Sequence, residues 1–366
     1  MRAARSVTTD HGERVVHLLY FPPDIPGGVS SMIPHLAEVQ RATGAPTEIH
    51  WSRFAFSQGL TMRAILSYRA SLSTLDLPLG TVLHAHHPLA AIAARAWMRR
   101  VQRVLPLVLT VHGLPTPVER PLLKQALTVS DLNVAVSRYL AKSLLQFPGS
   151  SIHAVVYNGV DNERRFRPRP VISINRGIRI VSVSRLVPEK GVFETAEVFL
   201  ELLRQRVPVR WTIVGDGPAR DQLLRYLRRN GALRQAQWTG FQSHPEDWLE
   251  RSNLFMLWSH EEAFGNAFVE ANSVGLPTVA SRVGGIVEHL TDDYNGITVD
   301  LSRRETICAA SRRIAALYRT PRQWKELRYG AITRGKQFSL QKMADEYRTI
   351  YRWATTSTLG VDVIGR

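Results

Sequence analysis

Two carboxylates eight positions apart offer the most specific chemistry in the sequence. Glu262 and Glu270 lie in WSHEEAFGNAFVEANSVGLPTVASRVGG, with Phe264-Gly265 between them. An apolar run before them predicts a buried strand, and the residues after them predict a helix capped by Asn266. Parallel sheets bind ligands in the turn between a strand's carboxyl end and the next helix. Two acids beside free helical N–H groups would therefore suit a ligand with hydroxyls and phosphate.

Two cations precede Glu262 by more than 70 positions. Arg185 ends a predicted strand, RIVSVSR, and Lys190 lies just before a predicted helix. A cation at a helix N-terminus opposes the helix dipole, and a bound diphosphate would remove that misfit. Two structural alternatives stay open: a surface pair between Glu189 and an arginine, and a dipole interaction alone for Glu270.

A glycine pair lies between the first predicted strand and the first predicted helix. Gly27 and Gly28 precede a helix that we expect to begin near Ser31 and to end at about Thr43, because Pro34 is tolerated only in a first turn. Glycines at this position either cradle a phosphate or form a tight turn.

Histidines follow two further predicted strands. His84, His86 and His87 lie in VLHAHHP, and a His-x-His pair on a strand places two rings on one face, where they could bind zinc. The alternative is that they serve as hydrogen-bonding groups. His112 ends the run LPLVLTVH, where a single histidine is usually structural.

Short apolar runs alternate with helical patterns and must position these side chains. The alternation is typical of doubly wound parallel sheets. The predicted strands cover residues 14–21, 47–51, 82–86, 105–112, 131–137, 152–156, 179–185, 209–214, 236–239, 253–259 and 298–299.

The spacing of these motifs resembles that of a known enzyme family. Glu-x7-Glu enclosing Phe-Gly, followed by GLPTVA and VGG, resembles the nucleotide-sugar signature of family-4 retaining glycosyltransferases. The other motifs of that family occur in the expected order over about residues 15–354. They are Thr-x-His-Gly at 110–113, Asn-Gly-Val-Asp at 158–161, Pro-Glu-Lys-Gly at 188–191, Gly-Asp-Gly-Pro at 215–218 and Gly-Phe at 240–241.

The resemblance implies the α/β GT-B fold, in which two Rossmann-like parallel-sheet domains face each other across a cleft. A chain of 366 residues fits two such domains. We expect an acceptor-side domain over 1–165, a linker over 166–177 and a nucleotide-sugar domain over 178–336. A helix over 337–354 should cross back to the first domain, followed by a loose tail over 355–366.

The resemblance also implies a role for each candidate residue. Arg185 and Lys190 would hold the donor diphosphate, Glu262 would accept from hydroxyls of the donor sugar, and His112 would lie near that sugar. Glu270 would accept from the ribose. The remaining predicted donor-binding residues are Gly27, Gly28, Gly240, Phe241, Phe264, Gly265, Asn266 and Ala267.

The implied reaction is retaining transfer of a hexose from a UDP- or GDP-sugar to a hydroxyl of a glycan or lipid-linked acceptor. Such a reaction belongs to the synthesis of cell-surface polysaccharide or glycolipid. We expect no cofactor, and no metal site either, because the chain lacks an Asp-x-Asp triplet.

Composition limits location and partners. A single cysteine, Cys308, fits a reducing compartment, and the sequence suggests neither a signal peptide nor a membrane span. We therefore expect a cytoplasmic protein. The net charge of +16 would favour peripheral contact with an anionic membrane on its inner face, whereas no nucleic-acid partner is expected.

Other functions remain compatible with the residues. A GT-B epimerase or phosphorylase would share the fold, although no candidate lysine for pyridoxal phosphate is evident. A non-catalytic protein that binds polyanions would share the basic charge.

Overall fold

The computed structural model describes residues 13–20, 27–52, 62–75, 77–147, 149–168, 170, 173–300 and 305–358. The chain divides into two compact units. The first comprises Met1–Val136, Ala141–Val156 and Gln341–Arg366, and the second comprises Ser137–Leu140 and Tyr157–Leu340.

The first unit is built on a six-stranded parallel sheet with the order β2-β1-β3-β4-β5-β6. Four of its strands are buried along their whole length, as expected when helices cover both faces of a parallel sheet. The strands are β1 (Val15–Leu19), β2 (Thr47–Trp51), β3 (Val82–Ala85), β4 (Leu107–Val111), β5 (Leu132–Ala135) and β6 (Ala154–Val155). The helices are α1 (Gly28–Ala42), α2 (Met62–Leu72), α3 (Pro88–Arg100), α4 (Arg120–Val129) and α5 (Arg138–Leu144), which begins in the second unit.

The second unit repeats the design with the order β12-β11-β10-β7-β8-β9. Its strands are β7 (Ile178–Val183), β8 (Val209–Val214), β9 (Ala236–Gly240), β10 (Leu254–Leu257), β11 (Thr278–Ser281) and β12 (Gly296–Val299). Its helices are α6 (Val192–Arg204), α7 (Arg220–Arg229), α8 (Glu246–Glu250), α9 (Asn266–Ser273), α10 (Glu305–Arg319) and α11 (Pro321–Gly335). The predicted α/β fold of two Rossmann-like parallel sheets is confirmed.

Large aromatic side chains fill the core of the second unit. Trp211 and Trp324 are almost completely buried, and each indole N–H finds an acceptor. Trp211 Nε1 donates to Ser182 Oγ over 2.9 Å, and Trp324 Nε1 donates to the carbonyl of Asn253 over 2.8 Å. Buried indoles with satisfied N–H groups fix the positions of β7, β8 and β10, whose loops carry the candidate site.

The last helix, α12 (Leu340–Thr358), packs on the first unit. Tyr347 and Tyr351 are buried, and their hydroxyls lie 2.9 Å from Thr110 Oγ1 and 2.8 Å from His84 Nδ1. The predicted return of this helix to the first domain is therefore confirmed. It continues to Thr358, so residues 355–358, predicted as part of a loose tail, are helical, and the rest of that prediction, residues 359–366, lies outside the described residues.

Two local predictions need correction. Helix α1 begins at Gly28 rather than near Ser31, and Pro34 lies inside it. Burial of Met32, Ile33 and other side chains on one face outweighs the backbone hydrogen bond that Pro34 cannot donate. The stretch predicted as a linker also contributes to packing, because Ile174 belongs to the core of the second unit.

Both sheets reverse their strand order at one point, the position where doubly wound sheets bind ligands. The reversal lies between β1 and β3 in the first unit and between β7 and β10 in the second. The cleft predicted between the two domains remains a prediction.

Among the helices of the described ranges, none is both long and apolar enough to cross a membrane.

Candidate active site

The loops after β7 and β10 touch each other at the switch point of the second sheet. Gly191 has φ 57°, and a Cβ added there would lie 1.6 Å from the carbonyl oxygen of Trp258. The backbone N–H of His260 donates to the carbonyl of Glu189 over 2.9 Å. Close backbone contact thus brings the PEKG loop to the loop that contains Glu262.

Lys190 and Glu262 form an ion pair in this contact. Lys190 Nζ lies 2.6 Å from Glu262 Oε1, and Ser259 Oγ donates to the same oxygen over 2.9 Å. The two side chains are only 21% and 11% exposed. The cation and the acid that the sequence predicts for one site, 72 positions apart in the chain, are therefore in direct contact.

The glycines after β11 hold the backbone of Glu262. Gly285 N–H donates to the carbonyl of Glu262 over 2.8 Å. Gly284 has φ 55°, and a Cβ there would lie 2.0 Å from the same oxygen. The Val-Gly-Gly motif is thus a support for the acidic loop, which only residues without side chains can approach this closely.

Arg185 lies exposed just after β7. Among the described residues, neither Arg185 nor Glu189 forms an ion pair, so the surface pair considered for Glu189 is not formed. An uncompensated guanidinium beside the Lys190 loop is available to an anionic ligand.

Glu270 lies half-buried on α9 in an unusual electrostatic environment. Burial raises its pKa to about 7; Arg165 opposes this shift and Glu246 adds to it. Arg165 is itself held by Glu246 through two hydrogen bonds of 2.8 Å. Near neutral pH the protonated and ionised forms of the Glu270 carboxyl group are therefore both populated, and a ligand that binds the ionised form would displace the proton.

The Arg165–Glu246 pair was not among the predicted site residues. The two residues are 81 positions apart, and neither belongs to a motif of the resemblance. Arg165 also fell at the end of the predicted first domain, whereas it belongs to the second unit. Only the fold brings this pair beside Glu270.

The start of α9 differs from the prediction. The residue that caps the helix is Gly265, with φ 93°, and no side chain caps it. Asn266 is the first helical residue, and its Oδ1 accepts from Asn158 Nδ2 over 2.9 Å. The cap assigned to Asn266 was wrong because the chain enters the helix in the left-handed region that favours glycine. The N–H of Phe268 donates to the carbonyl of Gly265 over 3.1 Å, so the N–H groups of Asn266 and Ala267 are the ones left for a ligand.

The remaining predicted donor residues of the second unit differ in accessibility. Phe264 is 2% exposed, its ring packs against Tyr157 and Phe338, and its carbonyl lies 2.7 Å from His289 Nε2, so this residue supports the loop rather than offering a surface to a ligand. Ala267 is half-buried in the first turn of α9. Gly240 ends β9 with φ 74°, and Phe241 beside it is 56% exposed.

The other predicted site residues belong to the first unit. Gly27 precedes α1 and Gly28 is its first residue, while His112 follows β4. His112 Nε2 lies 3.0 Å from His86 Nδ1. His87 caps α3 by accepting from the backbone of Leu89 over 3.2 Å.

Two family models match the chain. The family model described as Glycosyl transferases group 1 matches residues 166–330, and the one described as Glycosyltransferase Family 4 matches residues 81–164. Together these matches cover more than half of the chain. The chain belongs to the family-4 glycosyltransferases.

Two curated relatives of this family-4 glycosyltransferase illustrate the similarity. It is 26% identical over 291 residues to N-acetyl-alpha-D-glucosaminyl L-malate synthase of Bacillus anthracis, a match that covers 74% of each chain. It is also 26% identical to D-inositol 3-phosphate glycosyltransferase of Segniliparus rotundus, over 75% of this chain and 66% of the relative.

Solved structures confirm the GT-B architecture of this family-4 glycosyltransferase. Sucrose-phosphate synthase of Thermosynechococcus elongatus superimposes with a TM-score of 0.78 at 16% identity, over 94% of this chain and 100% of the other. HepE of Anabaena, in complex with UDP and glucose, superimposes with a TM-score of 0.73 at 18% identity, over 93% and 99% of the two chains.

Proposed function

We propose that this glycosyltransferase transfers a hexose from a UDP- or GDP-sugar to a hydroxyl of a glycan or lipid-linked acceptor, with retention of anomeric configuration and without a metal. The observation that carries the proposal is the Lys190–Glu262 contact of 2.6 Å at the switch point of the second sheet. The complex of HepE with UDP and glucose supports a nucleotide-sugar donor.

Breaking the anomeric bond places negative charge on the departing diphosphate. Arg185, Lys190 and the uncapped N–H groups at the start of α9 would stabilise that charge. Lys190 would then exchange its contact with Glu262 for one with phosphate oxygens. This exchange would leave the Glu262 carboxylate free to accept from hydroxyls of the donor sugar.

Glu270 would bind the ribose. A carboxylate accepts hydrogen bonds from two neighbouring hydroxyls, whereas its protonated form loses part of that capacity. Because the pKa of Glu270 is raised to about 7, donor binding would release its proton at neutral pH. Arg165 would then offset the charge.

Retention follows from the family resemblance. The acceptor hydroxyl would attack the anomeric carbon on the side that the diphosphate leaves, and a departing phosphate oxygen would take the hydroxyl proton. The new bond forms between the acceptor oxygen and the anomeric carbon as the bond to the diphosphate breaks.

The test is incubation with a panel of UDP- and GDP-sugars, with and without EDTA, and with NMR analysis of the product anomer. We expect one or a few donors to be transferred or slowly hydrolysed, with the α or β configuration kept and no loss in EDTA. Absence of turnover and of binding for every donor would contradict the proposal. Inversion or loss in EDTA would contradict its mechanistic part.

A further inference from the structure

A chain of buried hydrogen bonds in the first unit leads from α1 to His112. Gln40 Oε1 lies 2.7 Å from His17 Nε2, and His17 Nδ1 lies 2.9 Å from His86 Nε2. His86 Nδ1 lies 3.0 Å from His112 Nε2. Gln40, His17 and His86 are each at most 5% exposed. The chain therefore runs through the buried interior of the first unit.

The histidines of this chain are neutral. Burial lowers the pKa of His17 to about 4 and that of His112 to about 3, and it lowers the pKa of His86 well below the ordinary value. A neutral imidazole carries one N–H and one bare nitrogen. Each ring must therefore donate on one side and accept on the other, so all the rings point their donors in one direction.

Gln40 sets that direction. Its amide Nε2 donates to the hydroxyl of Tyr351 over 3.3 Å, which leaves Oε1 as the acceptor for His17 Nε2–H. His17 Nδ1 is then bare and accepts from His86 Nε2–H, and His86 Nδ1 accepts from His112 Nε2–H. If the Gln40 amide were flipped, its Nε2 would donate to His17 Nε2, and each histidine in the chain would carry its proton on the opposite ring nitrogen.

The chain ends on an unused atom. With its proton on Nε2, His112 has a bare Nδ1, and this atom is buried with no hydrogen-bond partner among the described residues. A buried acceptor without a donor costs free energy, and such groups in native structures commonly have a functional reason. A ligand hydroxyl would supply the missing donor.

We infer that Gln40 is a positioning residue that, through His17 and His86, fixes His112 in the Nε2–H tautomer, so that Nδ1 accepts from a hydroxyl of the transferred sugar. The identification of the ligand as a sugar rests on the proposed function, whereas the assignment of the His112 tautomer does not depend on it.

A metal site is the competing explanation of the cluster. Ligand atoms of His17, His84 and His86 lie within 4.8 Å of one another. Two nitrogens on a tetrahedral zinc ion would lie about 3.3 Å apart, given Zn–N bonds of about 2.0–2.1 Å. The 2.9 Å between His17 and His86 suits a hydrogen bond, and both nitrogens of His84 are 2.8 Å from the hydroxyls of Tyr351 and Thr110. These histidine nitrogens therefore already have hydrogen-bond partners, which favours a hydrogen-bonded network over a metal site.

The test is NMR of the full chain labelled with 15N-histidine, with the His112 signals assigned by their loss in His112→Gln. We expect a protonated Nε2 and a bare Nδ1. Gln40→Leu removes the acceptor and should leave a mixture of tautomers, whereas Gln40→Glu keeps an acceptor oxygen and should restore the native one. Tyr351→Phe preserves the packing but frees the amide, so it should also yield a mixture.

Measurement of kcat/KM then tests whether the ligand of His112 is the transferred sugar. With an accepted donor, Gln40→Leu should lower kcat/KM by about 3- to 10-fold, the effect of one hydrogen bond, and Gln40→Glu should recover it. A native Nδ1–H tautomer, a tautomer unchanged in both Gln40→Leu and Tyr351→Phe, or one equivalent of zinc removed by mutation of His17 would overturn the inference. An altered tautomer with unchanged kcat/KM would overturn its ligand part. Because the NMR result requires no donor, it stands even where no sugar is transferred.

Discussion

Lys190 is the residue on which the proposed charge stabilisation depends most. Its ammonium group and the Glu262 carboxylate lie 2.6 Å apart. A bound diphosphate would therefore have to draw the ammonium group away before the carboxylate could accept from the sugar. Arg185 contributes a second positive charge from the end of the same loop.

We expect Lys190→Ala and Arg185→Ala each to lower kcat on the order of 10²–10³-fold, because each removes a group that stabilises charge in the transition state. Lys325→Ala, which removes an exposed lysine of α11, is the matched control and should leave kcat unchanged. Circular dichroism checks that all three variants fold. Full activity in folded Lys190→Ala would contradict the proposed role.

Glu270 predicts a pH dependence of donor binding. Its pKa is raised to about 7 by burial, and hydroxyl donors of a ribose favour its ionised form. Donor affinity should therefore rise as the pH increases from 6 to 8, as measured by calorimetric titration. Glu270→Gln should bind more weakly at pH 8 and lose this dependence, whereas a steep dependence in that variant would assign the titration to another group.

The same pKa shift affects stability. The carboxyl of Glu270 binds its proton more tightly in the folded chain, so its contribution to the free energy of unfolding is present below pH 4.5 and is lost as the pH rises to about 7. Urea titrations should show Glu270→Gln gaining stability relative to the native protein at pH 8 but not at pH 5.

At the scale of elements, close backbone approach between loops holds the site together. Gly191 combines a left-handed φ with a Cβ position 1.6 Å from the carbonyl oxygen of Trp258. Gly44 has a left-handed φ of 89° with nothing within 4 Å of its Cβ position. Both positions carry the backbone strain, whereas a side chain at Gly191 also collides with Trp258. Comparing substitutions at the two glycines therefore separates the effect of strain from that of steric contact.

We expect Gly44→Ala to lower the free energy of unfolding by about 1–2 kcal/mol, the cost of a left-handed residue with a side chain. Gly191→Ala should cost clearly more and also lower activity, because α6 and the Lys190 loop must move away from β10. Urea denaturation and kcat measure the two effects. Equal decreases in the free energy of unfolding in both variants would contradict a contribution of the loop contact to stability.

The sequence predicted elements where pattern alone decides structure. The strand at Thr47–Trp51 was predicted with its observed bounds, and Lys190 and Glu262 were both placed beyond strand ends, where side chains of neighbouring strands meet. Asn266 was misassigned because residue preference favours asparagine as a cap, while the left-handed backbone at Gly265 depends on how the loop packs.

Long-range contacts between residues outside motifs could not be predicted. Arg165 and Glu246 carry ordinary surface residue types, and their pairing follows from the fold of the second unit. His17 lies among apolar residues of β1, and nothing in its neighbourhood indicates that it bonds Gln40 and His86. Such networks need the register of strands that are distant in the chain.

At the scale of the whole molecule, the net charge of +16 requires its own test. A charge of this size attracts polyanions without specificity, and salt weakens such binding steeply. We expect a labelled oligonucleotide to bind at low salt and to be released at about 150 mM. Retention at that salt concentration, combined with no donor binding, would favour a polyanion-binding protein over an enzyme.

Both units contain a doubly wound sheet, and among the residues that the structure describes it is the second sheet whose switch point carries the predicted acidic and basic pairs. The central claim is that this switch point recognises a diphosphate through Lys190. Calorimetric titration with UDP and UMP, and with GDP and GMP, tests this most directly. We expect the native protein to prefer one diphosphate over its monophosphate and folded Lys190→Ala to lose most of that preference; an equal preference in both proteins would contradict the role of Lys190.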